Sequence, residues 1–478
     1  MMTQRTNMRI LRLTTLLFLL TLATFRSVRA QEALPLLAQS IKLEQASEPA
    51  LTDTEREIRG YDRQVFLKLL KLAEFNVRYQ QTVNHYARWR KFVYPMAQET
   101  VYGCFLAYSI SDISQRARGW NSPGKISPTS TKRALDTAMV GSLVGATSSL
   151  VELAANGVEA VQASRKGFSV GKSVAWVQST VKEVDDLLAK RQALMQQVDC
   201  TGTSRELLEL KEQILKYERD RLVFEFKRWS AHSRGFAWYK NTFYVINSTV
   251  NFGRFSAITL GLKSFTSPRC SGASGPILAT SASLAGLGPA ASSTAGNWMQ
   301  HHQERRLAKE LPTVPFLTDA QAKEKFDRLT ELLARDETKT QNVRVATELI
   351  RLREEKLGLD TLILGEEKNI GRFRLVAGQQ SKTAPLISSL GLTAAILSTV
   401  GYYGYRQQPK INSRLAFAGD ATVIPAESIA LIATPAAAIR TYLYENNLRK
   451  KNEHPDQLLS NRLKDLQALD AMVTEAWK

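Results

Sequence analysis

Two patterns of hydrophobic and polar positions alternate along the chain. In the first, apolar residues recur three and four positions apart within charged sequence, at 53–92, 174–224, 341–365 and 456–477. This spacing places the apolar residues on one stripe of a helix, and such stripes are typical of coiled coils. The stripe over 174–198 is interrupted at Arg191, and a turn at 200–202 separates it from the next stripe. We therefore expect these two helices to fold back on each other as an antiparallel hairpin.

The second pattern is apolar, rich in Gly, Ala and Ser, and occurs in pairs of segments. The pairs are 97–115 with 134–156, 243–262 with 276–298, and 384–405 with 415–440. A loop rich in Pro, Gly and Ser separates the members of each pair, and successive loop centres lie about 145 residues apart. Matches such as Gly103–Ala107 with Gly253–Ala257 support a threefold repeat, with chance similarity of small-residue sequence as the alternative. Because sustained strand patterning is absent from the sequence, we expect an all-α fold.

The paired segments are long enough to cross a membrane. Two of them, 276–298 and 384–405, contain no charged residue over the roughly 20 positions that a spanning helix needs. Small residues, as in Gly141-x-x-x-Gly145, let helices approach closely in lipid. We therefore expect six membrane-spanning helices in three hairpins. A soluble bundle with a small-residue core is the alternative, because several segments are only weakly hydrophobic.

Charged residues inside the paired segments are the candidate functional residues. Arg254 and Glu427 lie near mid-depth of their segments, and Asp420 lies closer to one end. A charge at the bilayer midplane costs about 2.5–3.5 kcal/mol, and it usually faces the bundle interior and pairs with an opposite charge. We predict that Arg254 pairs with Glu427, or alternatively with Asp420. Such a pair serves either an ion or proton path or the association of helices.

The first 30 residues are typical of a cleaved export signal. Three arginines precede the apolar run Leu16–Phe25, and small residues occupy positions −3 and −1 of a cleavage site after Ala30. We expect cleavage at that site, with an uncleaved signal anchor as the alternative.

The distribution of charge predicts how the chain lies in the membrane. The chain has 64 basic and 45 acidic residues, a net charge of +19 and a pI near 9.8, which suggests an anionic partner such as nucleic acid or a membrane surface. Five arginines belong to residues 1–30, so the remainder carries +14. The three hairpin tips contain ten basic residues and no acidic one: Arg116, Arg118, Lys125, Lys132, Arg133, Lys263, Arg269, Arg406, Lys410 and Arg414. Because short loops rich in Lys and Arg stay in the cytoplasm, we expect the N-terminus, the long charged helices and the C-terminus on the exported side of a plasma or inner membrane.

These signals divide the chain into eight segments. The signal peptide covers 1–30, and exported helical segments cover 31–96, 157–242, 299–383 and 441–478. The membrane hairpins cover 97–156, 243–298 and 384–440. Charged helices and membrane hairpins therefore alternate along the chain.

Residues with catalytic or metal-binding potential are few. Gly167–Ser173 resembles a phosphate-binding loop but has one residue too few between its glycines. The histidine pair at 301–302 lacks the further ligands of a metal site. The expected topology places the three cysteines in different compartments, namely Cys104, Cys200 and Cys270. We expect no cofactor, no bound metal and no enzymatic activity.

The most favoured function is a non-enzymatic scaffold or tether in a membrane. Its expected partners are the lipid bilayer and either a second copy of the chain or another helical protein, because coiled-coil surfaces favour helix–helix association. Export argues against nucleic acid as a partner. The alternatives are a channel or transporter with a path among the three repeats, a secreted pore-forming helical protein, and an exported soluble helical bundle.

Overall fold

The computed structural model describes residues 53–83, 90–120, 127–197, 203–267, 270–312, 318–335, 385–452 and 454–476. Their helices are, in order, α1 Asp53–Val83, α2 Arg90–Arg118, α3 Pro128–Arg165, α4 Val170–Met195, α5 Thr203–Lys263, α6 Ser271–Glu310, α7 Asp319–Arg335, α8 Pro385–Gly404, α9 Pro409–Lys450 and α10 Pro455–Ala476. No strand occurs in this part of the chain, and the expected all-α fold is confirmed for it. The predicted signal peptide at 1–30 and the predicted helix at 341–365 lie outside the described residues.

Local sequence determines where several helices begin and end. The Ser127 side chain accepts a hydrogen bond from the backbone N–H of Ser130 and so caps α3. Before α7, Thr318 and Gln321 form a reciprocal capping box, with N···O distances of 3.0 and 3.3 Å. After α3, Gly167 has a φ of +89°, a conformation that glycine adopts without the steric cost of a Cβ. The segment that resembles a phosphate loop is therefore a turn followed by the first residues of α4.

The charged helices pack around one hydrophobic core, which we call the charged bundle. It comprises α1, α4, α7, α10, the first half of α5 and the last turns of α6. Its core includes the predicted stripe of α4, namely Val174, Val177, Val184 and Leu188. α4 and α5 lie antiparallel, with Arg191 paired to Glu212 and Asp185 paired to Arg219. α1 packs against both of them, so the expected hairpin shares its apolar stripes with a third helix.

The small-residue helices form a closed arrangement, which we call the ring. α2 packs on α3, α3 on α5, α5 on α6, and α9 on α2. α6 meets α8 where Ser388 lies against Gly286. α8 meets α9 where the hydroxyl of Thr422 donates to the carbonyl of Leu390 at 3.1 Å. The three expected hairpins are therefore neighbours around one circuit of six helices.

Close approach between helices of the ring depends on small residues. A Cβ added at Gly145 of α3 would lie 2.6 Å from the side chain of Asn251 on α5. One added at Gly419 of α9 would lie 3.0 Å from the carbonyl oxygen of Ala394 on α8. At Gly419 glycine lets the two backbones approach closely, as in helix pairs within lipid, and at Gly145 it leaves room for the side chain of Asn251.

The three hairpin tips lie at the same end of the ring. Trp120, in the tip between α2 and α3, lies edge-on to Phe417 near the start of α9, with 5.1 Å between ring centroids. Gly261, near the end of α5, lies opposite Leu135 near the start of α3. The opposite end of the ring continues into the charged bundle through α5 and α6.

The outer surface of the ring carries many exposed large apolar side chains. Examples are Leu143, Leu287, Ile396, Ile432 and Leu443, which are between 48% and 73% exposed. Three helical segments are long and apolar enough to cross a membrane, namely Pro128–Met195, Pro385–Gly404 and Pro409–Lys450. The other three expected spans, on α2, α5 and α6, do not reach this apolarity within the residues that the structure describes.

Candidate functional site

Four acidic side chains lie along the contact between α2 and α9. Asp420 and Glu427 lie seven residues apart on α9 and so share a face, with an axial rise of about 10 Å between them. The two helices are antiparallel, so Asp112 lies opposite Asp420, and Glu99 lies near the other end of the contact. We call Glu99, Asp112, Asp420 and Glu427 the acidic row.

At the end of the row near the hairpin tips, two carboxylates meet one arginine. The Nε of Arg116 donates to Oδ2 of Asp112 at 2.7 Å and lies 3.3 Å from Oδ2 of Asp420. The side chain of Asp112 is 2% exposed and that of Asp420 is 15% exposed. Oδ1 of Asp112 and Oδ2 of Asp420 are buried without a hydrogen-bond partner in the described structure. This end of the row therefore contains two carboxyl groups and one guanidinium group.

In the middle of the row, Glu427 faces Tyr102 and Arg254. Glu427 is 4% exposed, and its Oε2 atom has no hydrogen-bond partner within the described part of the chain. The guanidinium group of Arg254 lies over the ring of Phe105, 5.0 Å from its centroid, and its positive charge acts on Glu427 electrostatically. The structure brings Arg254 and Glu427 together without a salt bridge between them, whereas Asp420 has Arg116 as its cation. The predicted pairing of Arg254 stays a prediction.

At the far end of the row, Glu99 lies beside Thr434 of α9. Oε1 of Glu99 is buried and has no hydrogen-bond partner among the residues described. Along α2 the row thus extends from Glu99 to Asp112. The rise between these two residues is about 20 Å, or about two-thirds of the thickness of the hydrocarbon core of a bilayer.

Beyond this end, Arg90 is buried among carboxylates of α3. Its guanidinium pairs with Glu152 at 2.7 Å and with Glu159 at 2.6 Å, and donates to Oδ1 of Asn156 at 2.7 Å. Burial alone would lower the pKa of Arg90, but the hydrogen bonds to the two carboxylates raise it above its ordinary value. Burial lowers the pKa of the nearby Lys240 to about 8, although Glu159 acts against this shift.

The sequence analysis did not identify Glu99 or Arg90 as site residues. One periodic signal points to this region: Glu152 and Glu159 lie seven residues apart on α3 and so share a helical face. Arg90 and Glu159 lie outside the spans chosen by hydropathy. Periodicity of polar residues inside apolar helices would have been the better guide.

The predicted basic tips differ in their surroundings. Arg118, Lys132, Arg133, Lys263 and Lys410 are exposed. Arg414 lies over the ring of Trp120 at 5.0 Å, and Arg406 lies over that of Tyr402 at 5.6 Å. Arg116 differs from the others because it is paired with the carboxylates of the row. Lys125 and Arg269 lie outside the described residues.

Other chemistry considered from the sequence is sparse in the described structure. His301 is exposed and pairs through Nδ1 with Glu304 at 2.9 Å on the surface of α6. No group of three or more His, Cys, Asp or Glu residues able to hold a metal ion occurs within the described ranges. Cys104 and Cys270 are free thiols, and Cys200 lies outside these ranges.

Comparisons with protein-family models, with curated proteins and with solved structures find no match to this chain. The function of the site must therefore be inferred from the chemistry of its side chains. Buried carboxyls with unpartnered oxygens, accompanied by arginines and tyrosine hydroxyls, can bind and release protons. A row of such groups inside an apolar bundle is a candidate site for proton binding.

Proposed function

We propose that the chain is an integral membrane protein whose ring crosses the bilayer six times and whose charged bundle lies on the exported side as a scaffold or tether. The ring carries this proposal, because its outer surface is apolar and its three basic tips lie at one end. Large exposed apolar surfaces of this kind mark membrane or partner contacts. The threefold repeat is part of the proposal and agrees with the order of the hairpins around the ring.

Aromatic residues near both ends of the ring support the six-span proposal. Trp238 on α5 and Trp298 on α6 are exposed near the charged bundle, and Trp120 and Tyr403 are exposed near the tips. Tryptophan and tyrosine are enriched at the two interfaces of a bilayer. From Trp238 to Lys263 the rise along α5 is about 38 Å, close to the roughly 40–45 Å of a bilayer with its interfacial regions. The ring therefore has the height that spanning requires.

The charged bundle supports the scaffold part of the proposal. α5 runs without a break for 61 residues, so one helix belongs to both the ring and the charged bundle. A continuous helix holds the bundle at a fixed distance from the membrane, as a tether requires. Its partner would be a helical protein or a second copy of this chain, and the basic tips would remain in the cytoplasm by the rule for short Lys- and Arg-rich loops.

Cysteine accessibility in intact producing cells tests the topology. A membrane-impermeant maleimide should label Cys200 in intact cells and Cys270 only after permeabilisation. C200S and C270S variants assign the two signals. Labelling of Cys270 alone in intact cells would overturn the orientation. Release of the protein from membranes by alkaline carbonate would support the alternative of a soluble bundle instead.

A proton path through the ring is the second candidate function, and the acidic row favours it. Successive carboxyl groups of the row lie about 10 Å apart along the helix axis, which is too far for direct proton transfer. The hydroxyl groups of Tyr102, Tyr108 and Ser109 on α2 lie between them and could relay the proton. In proteoliposomes with an internal pH dye, the wild-type chain should conduct protons under an applied potential. E427Q should lower the flux at least tenfold, whereas E445Q, the same change near the end of α9, should leave it unaltered. Flux no higher than that of empty liposomes would exclude the path.

A further inference from the structure

We infer that Asp112 and Asp420 form one proton-binding site, in which the two carboxyls share a single proton and Arg116 neutralises the remaining negative charge. The inference goes beyond the scaffold function. It rests on the packing of α2 against α9 and does not depend on whether the ring crosses a bilayer or conducts protons.

The charges at the site require a second cation or a proton. Arg116 can compensate one carboxylate, and a second buried carboxylate without compensation would be costly. Two carboxyls this close cannot both ionise freely, because each disfavours the charged form of the other. A proton held between them would also give a hydrogen-bond partner to Oδ1 of Asp112, a buried carboxyl oxygen that now has none. The unpartnered oxygen of Asp112 belongs to a side chain that is only 2% exposed.

The groups around the pair do not supply the second cation. Arg116 and Tyr108 face it from α2. From α8 the chain 385–404 has no Asp, Glu, Lys, Arg or His, and its only titratable residues are two tyrosines. On α3 the cations Lys132 and Arg133 are exposed, and on α9 the guanidinium of Arg414 lies over Trp120.

A proton fits the site better than a metal ion does. The Nε atom of Arg116 already lies 2.7 and 3.3 Å from the two Oδ2 atoms. A metal ion bound between the same oxygens would meet the guanidinium charge. A proton needs no additional space and adds one O–H donor to a group that otherwise only accepts.

Infrared spectroscopy of the full-length protein in detergent tests the site directly. At pH 7 the spectrum should contain the carbonyl band of a protonated carboxylic acid, and ¹³C-labelled aspartate should shift that band. Both D112N and D420N should abolish the aspartate band, because an amide replaces one member of the pair and leaves the other paired with Arg116. D136N, the same change on α3, should leave the band in place.

Three results would overturn the inference. The first is the absence of a shifted aspartate band in the wild-type protein, and the second is a band that persists in both D112N and D420N. The third is a band that disappears on adding sodium chloride in place of choline chloride, which would indicate a cation site. If both variants fail to fold, as judged by gel filtration, the labelled wild-type protein and R116M still decide, because R116M should increase the aspartate band.

Discussion

Arg90 and Arg191 are the largest fully buried side chains in the described structure. Each lies among two carboxylates: Arg90 contacts Glu152 and Glu159 in the ring, and Arg191 contacts Asp62 and Glu212 in the charged bundle. A buried charge persists only when it is paired and hydrogen-bonded. In both the ring and the charged bundle, a buried guanidinium group therefore joins neighbouring helices.

Replacing Arg191 should be strongly destabilising. R191A removes the guanidinium that pairs with buried Asp62 and Glu212 and leaves Glu212 with Lys216 alone. Breaking a buried pair in this way costs about 3–5 kcal/mol. R205A is the matched control because the side chain of Arg205 is 70% exposed, and it should change stability by less than about 0.5 kcal/mol. Thermal unfolding of the detergent-solubilised chain, followed by circular dichroism, measures both. Equal effects of the two variants would contradict the structural role of Arg191.

Lys240 should make stability depend on pH above neutrality. Burial lowers the pKa of Lys240 from 10.5 to about 8, so the folded chain loses this proton at a lower pH than the unfolded chain does. Stability should therefore rise between pH 8 and 10.5, and below pH 8 this group should lower stability by an amount that does not change with pH. K240M should remove that rise in the unfolding midpoint, whereas K309M, at an exposed position on α6, should keep it. Parallel pH profiles of the wild type and K240M would count against the assignment.

At the scale of helices, close approach in the ring depends on positions without a side chain. α3 provides both a crowded glycine and an open one. A Cβ at Gly145 would meet Asn251 at 2.6 Å, but one at Gly157 would have no atom within 4 Å. Packing between α3 and α5 is therefore sensitive to the first position alone.

Two alanine substitutions on α3 should have opposite effects. G145A places a methyl group where the buried side chain of Asn251 now lies, and it should destabilise the ring by about 1–3 kcal/mol. G157A should be neutral or stabilising by up to about 1 kcal/mol, because alanine favours helix more than glycine does. The unfolding midpoints of the two variants in detergent provide the measurement. A loss of stability in G157A equal to that in G145A would show that the helix, and not its packing, is responsible.

At the scale of the whole molecule, the ring gathers all three hairpin tips at one end. The basic residues of these tips that the structure describes are exposed except for Arg116, so under the proposed topology their charge is available to hold that end in the cytoplasm. The apolar surface and the aromatic residues give the ring the dimensions of a bilayer. The charged bundle then follows at the other end through α5 and α6.

Reversing the charge of the third tip should disturb the insertion of its hairpin. In a chain carrying Q407C as the labelling site and no other cysteine, R406E, K410E and R414E together should expose position 407 to an impermeant maleimide in intact cells. The same three positions changed to Gln should have nearly the same effect, because Asp and Glu contribute little to orientation and the loss of positive charge is the main cause. No labelling in either variant would show that neighbouring hairpins determine the position of this tip.

Much of the helical organisation was predictable because it depends on local sequence. Periodicity identified the stripes of α4 and α5, and loops rich in Pro, Gly and Ser separated the members of each pair of apolar segments. Hydropathy was a weaker guide: six spans were expected, and three helical segments meet the length and composition of a spanning helix. Segments rich in Gly, Ala and Ser are weakly hydrophobic both as membrane spans and as the core of a soluble bundle. Composition alone therefore distinguishes these two environments poorly.

Local sequence was enough to establish the all-α class, the alternation of charged and small-residue helices, and the presence of Arg254, Asp420 and Glu427 inside apolar segments. Which charges meet depends on the packing of the helices. Asp112 faces Asp420 because the last hairpin closes the ring against the first, and Arg90 reaches Glu152 because α2 and α3 pack at that end. Periodicity specifies the face of a helix on which a residue lies. The neighbour of that face depends on packing between segments far apart in the chain, about which local spacing carries no information.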